Sequence, residues 1–107
     1  MSEPRALRLG DRDWDDDVPG IRDRAEVLDG ARWAVVEYEP GARREEWCED
    51  GHRGYVLEGA IEYEFADGRP PLELRRGDAF FLPGAVAHRG RNLAEGATRM
   101  FLIDDPK

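Results

Sequence analysis

The chain has one cysteine and two histidines among its 107 residues. A single thiol cannot close an internal disulfide, so nothing in the cysteine usage ties the protein to an oxidising compartment. No apolar run approaches the roughly 20 residues that a membrane helix needs. The stretch from Met1 to Asp17 also lacks an apolar core of signal-peptide length. A cytoplasmic protein without a membrane partner is the expectation. Positive charge is scarce as well: 16 Lys and Arg face 24 Asp and Glu, for a formal net charge of -8. Polyanionic partners need a basic footprint, and Arg43-Arg44 and Arg75-Arg76 are isolated pairs, so nucleic acid is excluded as a partner. No amphipathic helix longer than a turn or two can be drawn, and only Ile21 to Leu28 has room for a helical turn.

What is present describes a folded chain with a heavily charged surface, since 40% hydrophobic residues accompany the 37% that are charged. The length suits one domain, residues 1–107, with 1–30 an N-terminal arm and acidic loop and 31–103 the core. Ala6 to Leu9 alternates weakly, as an edge strand would. Asp11 to Asp17 carries five aspartates around Trp14 and leads to Pro19-Gly20, a loop composition whose tryptophan is expected to tuck into the body.

From Ala31 onward strand follows strand. Arg32 to Tyr38 is rich in aromatic and β-branched residues and stops at Pro40-Gly41. Glu45 to Cys48 reads as a short strand, Glu49-Asp50-Gly51 as a hairpin turn, and Tyr55 to Leu57 as the return. Ile61 to Phe65 alternates apolar and acidic residues at period two, the mark of a half-buried strand. Leu72 to Leu74, Ala79 to Leu82, Val86 to Arg89 and Thr98 to Ile103 complete the series. About eight or nine short antiparallel strands between Gly, Pro and Asp turns define an all-β sandwich or barrel.

The chemistry-bearing residues sit in two of these segments. Glu45 to Gly59 holds the cysteine, one histidine and several carboxylates; Gly77 to Asn92 holds the other histidine. The two segments resemble the paired motifs of the cupin superfamily. The second family motif, G-x5-P-x-G-x2-H-x3-N, is matched by Gly77, Pro83, His88 and Asn92, with Ala85 where a glycine is usual. The first, G-x5-H-x-H-x3,4-E-x6-G, is matched at its frame by Gly41 and Gly59. Counted back from Gly59, His52 takes the glutamate position and Cys48 and Glu46 take the two histidine positions. Counted forward from Gly41, Trp47 and Glu49 would fall there, so this stretch is one residue short of the pattern.

The resemblance implies a jelly-roll β-barrel, the double-stranded β-helix of the cupins. It also implies one divalent transition metal held by Glu46, Cys48, His52 and His88, zinc or iron first and manganese or nickel next. Tyr63 and Phe81 are expected to line the pocket, Tyr63 through its hydroxyl, and Gly54 to leave room for a small-molecule ligand. Three functions remain open. The first is metal-dependent isomerase, lyase or oxygenase chemistry on a small polar metabolite. The second is a non-catalytic sensor or accessory barrel without metal, and the third is metal-free catalysis by Cys48 with His52. If Arg43, Arg53 or Arg89 lines the barrel mouth, a carboxylate-bearing metabolite is favoured. Cupins usually pair as homodimers, which points to residues 5–9 and to the outward side chains near Tyr55 and Leu57.

Overall fold

The computed structural model describes residues 3–105. Nine antiparallel strands follow a 3-10 turn at Leu9–Asp11: β1 (Asp15–Val18), β2 (Ile21–Leu28), β3 (Ala31–Tyr38), β4 (His52–Glu58), β5 (Ala60–Phe65), β6 (Leu72–Arg75), β7 (Ala79–Leu82), β8 (His88–Asn92) and β9 (Thr98–Asp104). Six form one sheet in the order β1-β2-β3-β9-β4-β7, and three form the second in the order β6-β5-β8. The two sheets close over one core, the jelly roll expected from the strand pattern. Among the described residues no helix is long and apolar enough to cross a membrane.

Strand parity decides what enters that core. Ala34, Val36 and Tyr38 of β3, Met100 and Leu102 of β9, and Ile61 and Tyr63 of β5 alternate inward and are buried. Enclosing a side chain such as Ile61 or Met100 removes enough apolar surface to contribute about 1.5–3 kcal/mol each. Glu62 and Glu64 point outward and pair with Arg91 and Arg89 on β8. On the outer face of the larger sheet Tyr55, Leu57 and Phe81 stay exposed.

Several local expectations are corrected. Ala6 to Leu9 is not a strand; it leads into the 3-10 turn, where only Leu9 is buried. The acidic run does not remain a loop, because Asp15–Val18 pairs with β2 as an exposed edge strand. Ile21–Leu28 is a full strand paired with β3 along its whole length, not a helical turn. Its period was hidden because an inward position is occupied by Asp23, which is buried against Arg32 at 2.8 Å. Trp14 does not enter the core; its ring packs against the guanidiniums of Arg22 and Arg24, 4.2 and 4.1 Å from its centroid. Val86 to Arg89 becomes β8 only from His88.

The largest departure concerns residues 43–51. Glu45–Cys48 is not a strand and Glu49-Asp50-Gly51 does not close a hairpin. The segment touches β8 through two single bridges, Arg43 to Arg91 and Cys48 to His88. It therefore belongs to the rim of the smaller sheet rather than to β4. Ala85, at the usual glycine position, has φ +66 and donates its N–H to Glu49 O at 3.0 Å. An alanine there accepts about 1–2 kcal/mol of left-handed backbone strain.

Candidate functional site

Cys48 and His88 face each other directly. Each donates its backbone N–H to the other's carbonyl, at 2.8 and 2.9 Å, which sets their side chains beside one another. His52 opens β4 on its inner face and is the cross-strand partner of Asp104 at the end of β9. The donor atoms of Cys48, His52 and His88 all lie within 4.8 Å of one another.

Both imidazoles are oriented by their Nδ1 atoms. His52 Nδ1 is 2.8 Å from Asp104 Oδ1, and His88 Nδ1 is 3.0 Å from Val86 O. Because both partners accept only, each Nδ1 carries the donated hydrogen and each Nε2 is left for the cluster. Cys48 Sγ lies 3.9 Å from His52 Nε2. The rings of His52 and His88 meet edge to face with centroids 5.0 Å apart. His88 is 2% exposed.

Hydrogen bonds from His52 and His88 bring the Cys48 thiol down to about 6. Burial alone would depress His52, but the hydrogen bonds it donates to Asp104 and Cys48 outweigh it and push the ring up to about 9. Between these values the metal-free pair is thiolate and imidazolium. The sign follows: a depressed thiol stays deprotonated as pH falls from 9 and is protonated only below about 6. Alkylation of Cys48 by iodoacetamide, followed by mass spectrometry, is expected to hold its rate down to pH near 6. His52→Ala should move that midpoint up, towards the ordinary thiol value. A wild-type midpoint above 8 would contradict this arrangement.

The cluster opens into a cavity of about 440 Å³. Val36, Leu102 and Tyr63 are among its apolar lining residues, and charged and polar side chains make up much of the rest. Each arginine on the cavity is already neutralised: Arg32 by Asp23, Arg44 by Asp17 at 2.7 Å, and Arg89 by Glu64. Arg89 also stacks on Trp47, 4.1 Å from the ring centroid. Arg43 and Arg53 do not line this cavity.

The sequence-derived site residues separate into two groups. Cys48, His52 and His88 converge. Glu46 lines the same cavity but stands outside the converging atoms, because the chain bends there and Glu46 is exposed. The same-face relation of residues two apart holds only in an extended strand. Tyr63 lines the cavity with its ring edge-on to His88 at 5.7 Å, while its hydroxyl donates to Met100 Sδ at 3.7 Å.

Phe81 is not a pocket residue; it is 58% exposed on the outer face, and its neighbour Phe80 packs inward against Tyr63. Gly54 does not make room for a ligand either. A Cβ there would overlap Phe80 and Leu102, so the missing side chain is filled by the core. Asp104 was not anticipated. Its signal was the alternation of Thr98, Met100 and Leu102 inward, which continues to 104.

A jelly roll of nine described strands, closed from two antiparallel sheets, is the architecture of a cupin. The family model for the Cupin domain matches residues 34–104, and the chain belongs to that family. No curated protein matches it by sequence. Among solved structures it is similar to KdgF from Halomonas sp., with 25% identity over 98% of this chain and 96% of that one and a TM-score of 0.76. It is similar in fold to the polyketide cyclase RemF from Streptomyces resistomycificus, with 20% identity, 95% and 79% coverage and a TM-score of 0.78. The third is the oxalate decarboxylase of Bacillus subtilis, a protein with Mn(II) centres; identity is 22%, coverage 94% of this chain and 29% of that one, and the TM-score 0.74.

Proposed function

We propose that the barrel holds one divalent transition metal through Cys48, His52 and His88 and presents it to a small polar metabolite in the cavity. The observation that carries this reading is the convergence of three donor atoms whose two imidazoles are both turned Nε2-inward by partners on Nδ1. The donor set fits the group: one thiolate and two imidazoles suit zinc or iron better than calcium or magnesium, with manganese and nickel next. Three protein donors would leave a bound metal a position for water or substrate, the pattern of catalytic rather than structural sites.

Bound there, the metal supplies Lewis acidity toward a carbonyl or hydroxyl, or activation of water or dioxygen. The chain's own part is to position and to dry the ligand. Val36, Tyr63 and Leu102 exclude water on one side, and the Asp23–Arg32 and Asp17–Arg44 pairs offer donors and acceptors on the other. Since Arg89 and its companions are already paired with carboxylates, the cavity favours a neutral hydroxyl-bearing ligand over the carboxylate that Arg89 alone suggested. Isomerase, lyase or oxygenase chemistry is the proposed activity. The non-catalytic barrel is the second reading, favoured by the replacement of the family's usual histidine and glutamate ligands with Glu46, Cys48 and His52.

Elemental analysis of the untagged protein after reconstitution with zinc, iron, manganese or nickel decides between them. About one equivalent of metal, lost in both Cys48→Ala and His88→Ala, is the expected result. Metal that survives both substitutions removes this ligand set. No metal under any reconstitution leaves the binding barrel.

A further inference from the structure

Asp104 lies outside both cupin motifs, on the last strand, and makes its side-chain bond to one of the three converging residues. We infer that Asp104 is a positioning residue for the metal cluster: by accepting the Nδ1 hydrogen of His52 it fixes the tautomer and the ring plane that aim Nε2 at Cys48 and His88. The inference rests on the metal-binding reading above and adds a fourth residue to it.

The argument begins with the backbone. His52 and Asp104 are register partners on the inner face of adjacent antiparallel strands. Cross-strand partners have their Cβ atoms about 4.5–5.5 Å apart, so a carboxylate opposite an imidazole reaches it without strain. The observed Nδ1 to Oδ1 separation is 2.8 Å, with the two side chains 12% and 16% exposed. Arg53, whose register partner is Ile103, reaches diagonally to Asp105 just past β9, at 3.2 Å and far more exposed. One end of the β4–β9 ladder thus carries two ion-pair partners, and only the inner one reaches the cavity.

Tautomer choice is what gives Asp104 its role. A neutral imidazole in water prefers its hydrogen on Nε2, the atom that a metal needs bare. An acceptor on Nδ1 reverses that preference, and a carboxylate also raises the basicity of the ligating nitrogen. His88 solves the same problem with a neutral carbonyl, Val86 O. His52 is therefore the ligand whose donor strength depends on a replaceable side chain, whereas His88 depends on backbone that substitution does not remove.

The test compares Asp104→Ala and Asp104→Asn with wild type in two measurements. Long-range nitrogen–proton NMR of the metal-free protein near pH 10, where His52 is neutral, reports which ring nitrogen carries hydrogen. Competition with a chromophoric chelator reports zinc affinity. Asp104→Ala is expected to move the His52 hydrogen to Nε2, leave His88 unchanged and lower zinc affinity about 10–100-fold. Asp104→Asn keeps an oxygen acceptor without the charge; it should retain the Nδ1 hydrogen and recover part of the affinity. A purely structural role does not predict that split.

The inference is overturned if His52 keeps its Nδ1 hydrogen in Asp104→Ala, or if zinc affinity there stays within about twofold of wild type. If Asp104→Ala does not fold, the asparagine variant decides: Nδ1 hydrogen retained with weakened zinc binding supports the role, and loss of that hydrogen, or unchanged affinity, refutes it. A wild-type protein with no zinc affinity refutes the metal reading instead, and the tautomer of His52 in the variants still judges Asp104.

Discussion

Asn92→Ala is expected to destabilise the protein by about 3–4 kcal/mol, lowering the melting temperature by about 12–24 °C for a domain of this size. The residue is 9% exposed, and its amide ties three chain segments together. Its nitrogen is 2.9 Å from both Glu39 O and Gly96 O and 3.3 Å from Tyr38 O, so two hydrogens serve three carbonyls. Its oxygen accepts from Ala94 N and from the hydroxyl of Thr98, each at 2.8 Å. Alanine strips partners from buried acceptors that water reaches poorly, and each costs about 1–3 kcal/mol. Asn92→Asp should be worse, since a carboxylate cannot donate to those carbonyls and is repelled by them. Urea unfolding of the three proteins measures the effect. A loss below about 1 kcal/mol in Asn92→Ala would mean that solvent replaces the network.

The second large effect is expected at Gly59, where conformation and crowding act together. Its φ of +87 lies in the left-handed region, and a Cβ there would overlap the Thr98 hydroxyl, with Thr98 Cα at 2.9 Å and Ala97 O at 3.0 Å. Gly68 separates the two contributions, because its φ is +84 and a Cβ there meets nothing within 4 Å. Gly68→Ala should therefore cost only the backbone strain, about 1–2 kcal/mol. Gly59→Ala should add about 1–3 kcal/mol of overpacking, since the obstructing atoms include backbone. Equal losses in the two variants, by urea denaturation, would show that the loop before β9 yields and that crowding contributes nothing.

These positions also explain which parts of the fold were legible. Gly59, Gly77, Pro83 and Asn92 are spaced by turns whose lengths are fixed by covalent geometry, so their pattern survives in one dimension. Ile61 to Phe65 was equally plain because one face is apolar and the other acidic. β2 was not, since Asp23 faces inward and pairs with Arg32, and a partner nine residues away is invisible to periodicity. Phe80 and Phe81 are interchangeable in composition; only the pairing of β7 with β4 decides which one enters.

For the site, three of the four expected ligands converge because each is held by long-range backbone pairing, Cys48 to His88 and His52 to Asp104. Glu46 was assigned by motif spacing counted back from Gly59, which places it beside Cys48 only if the chain from Glu45 to Cys48 is extended, and the chain bends at Glu46. Gly54 shows the limit of reading small residues as space. A missing side chain marks close approach, and here the approaching groups are Phe80 and Leu102 rather than a ligand.

The bridge between Cys48 and His88 has a bearing on biosynthesis. The cluster draws on positions 48, 52 and 88, and the acceptor that orients His52 is at 104. A nascent chain that ends between β8 and β9 holds all three donors but neither the β4–β9 ladder nor the carboxylate, so the oriented cluster does not exist on the growing polypeptide. Assembly of the cluster belongs to the finished barrel. The lone thiol consequently gains its full acidity only once the last strand has docked and Asp104 holds His52 beside it.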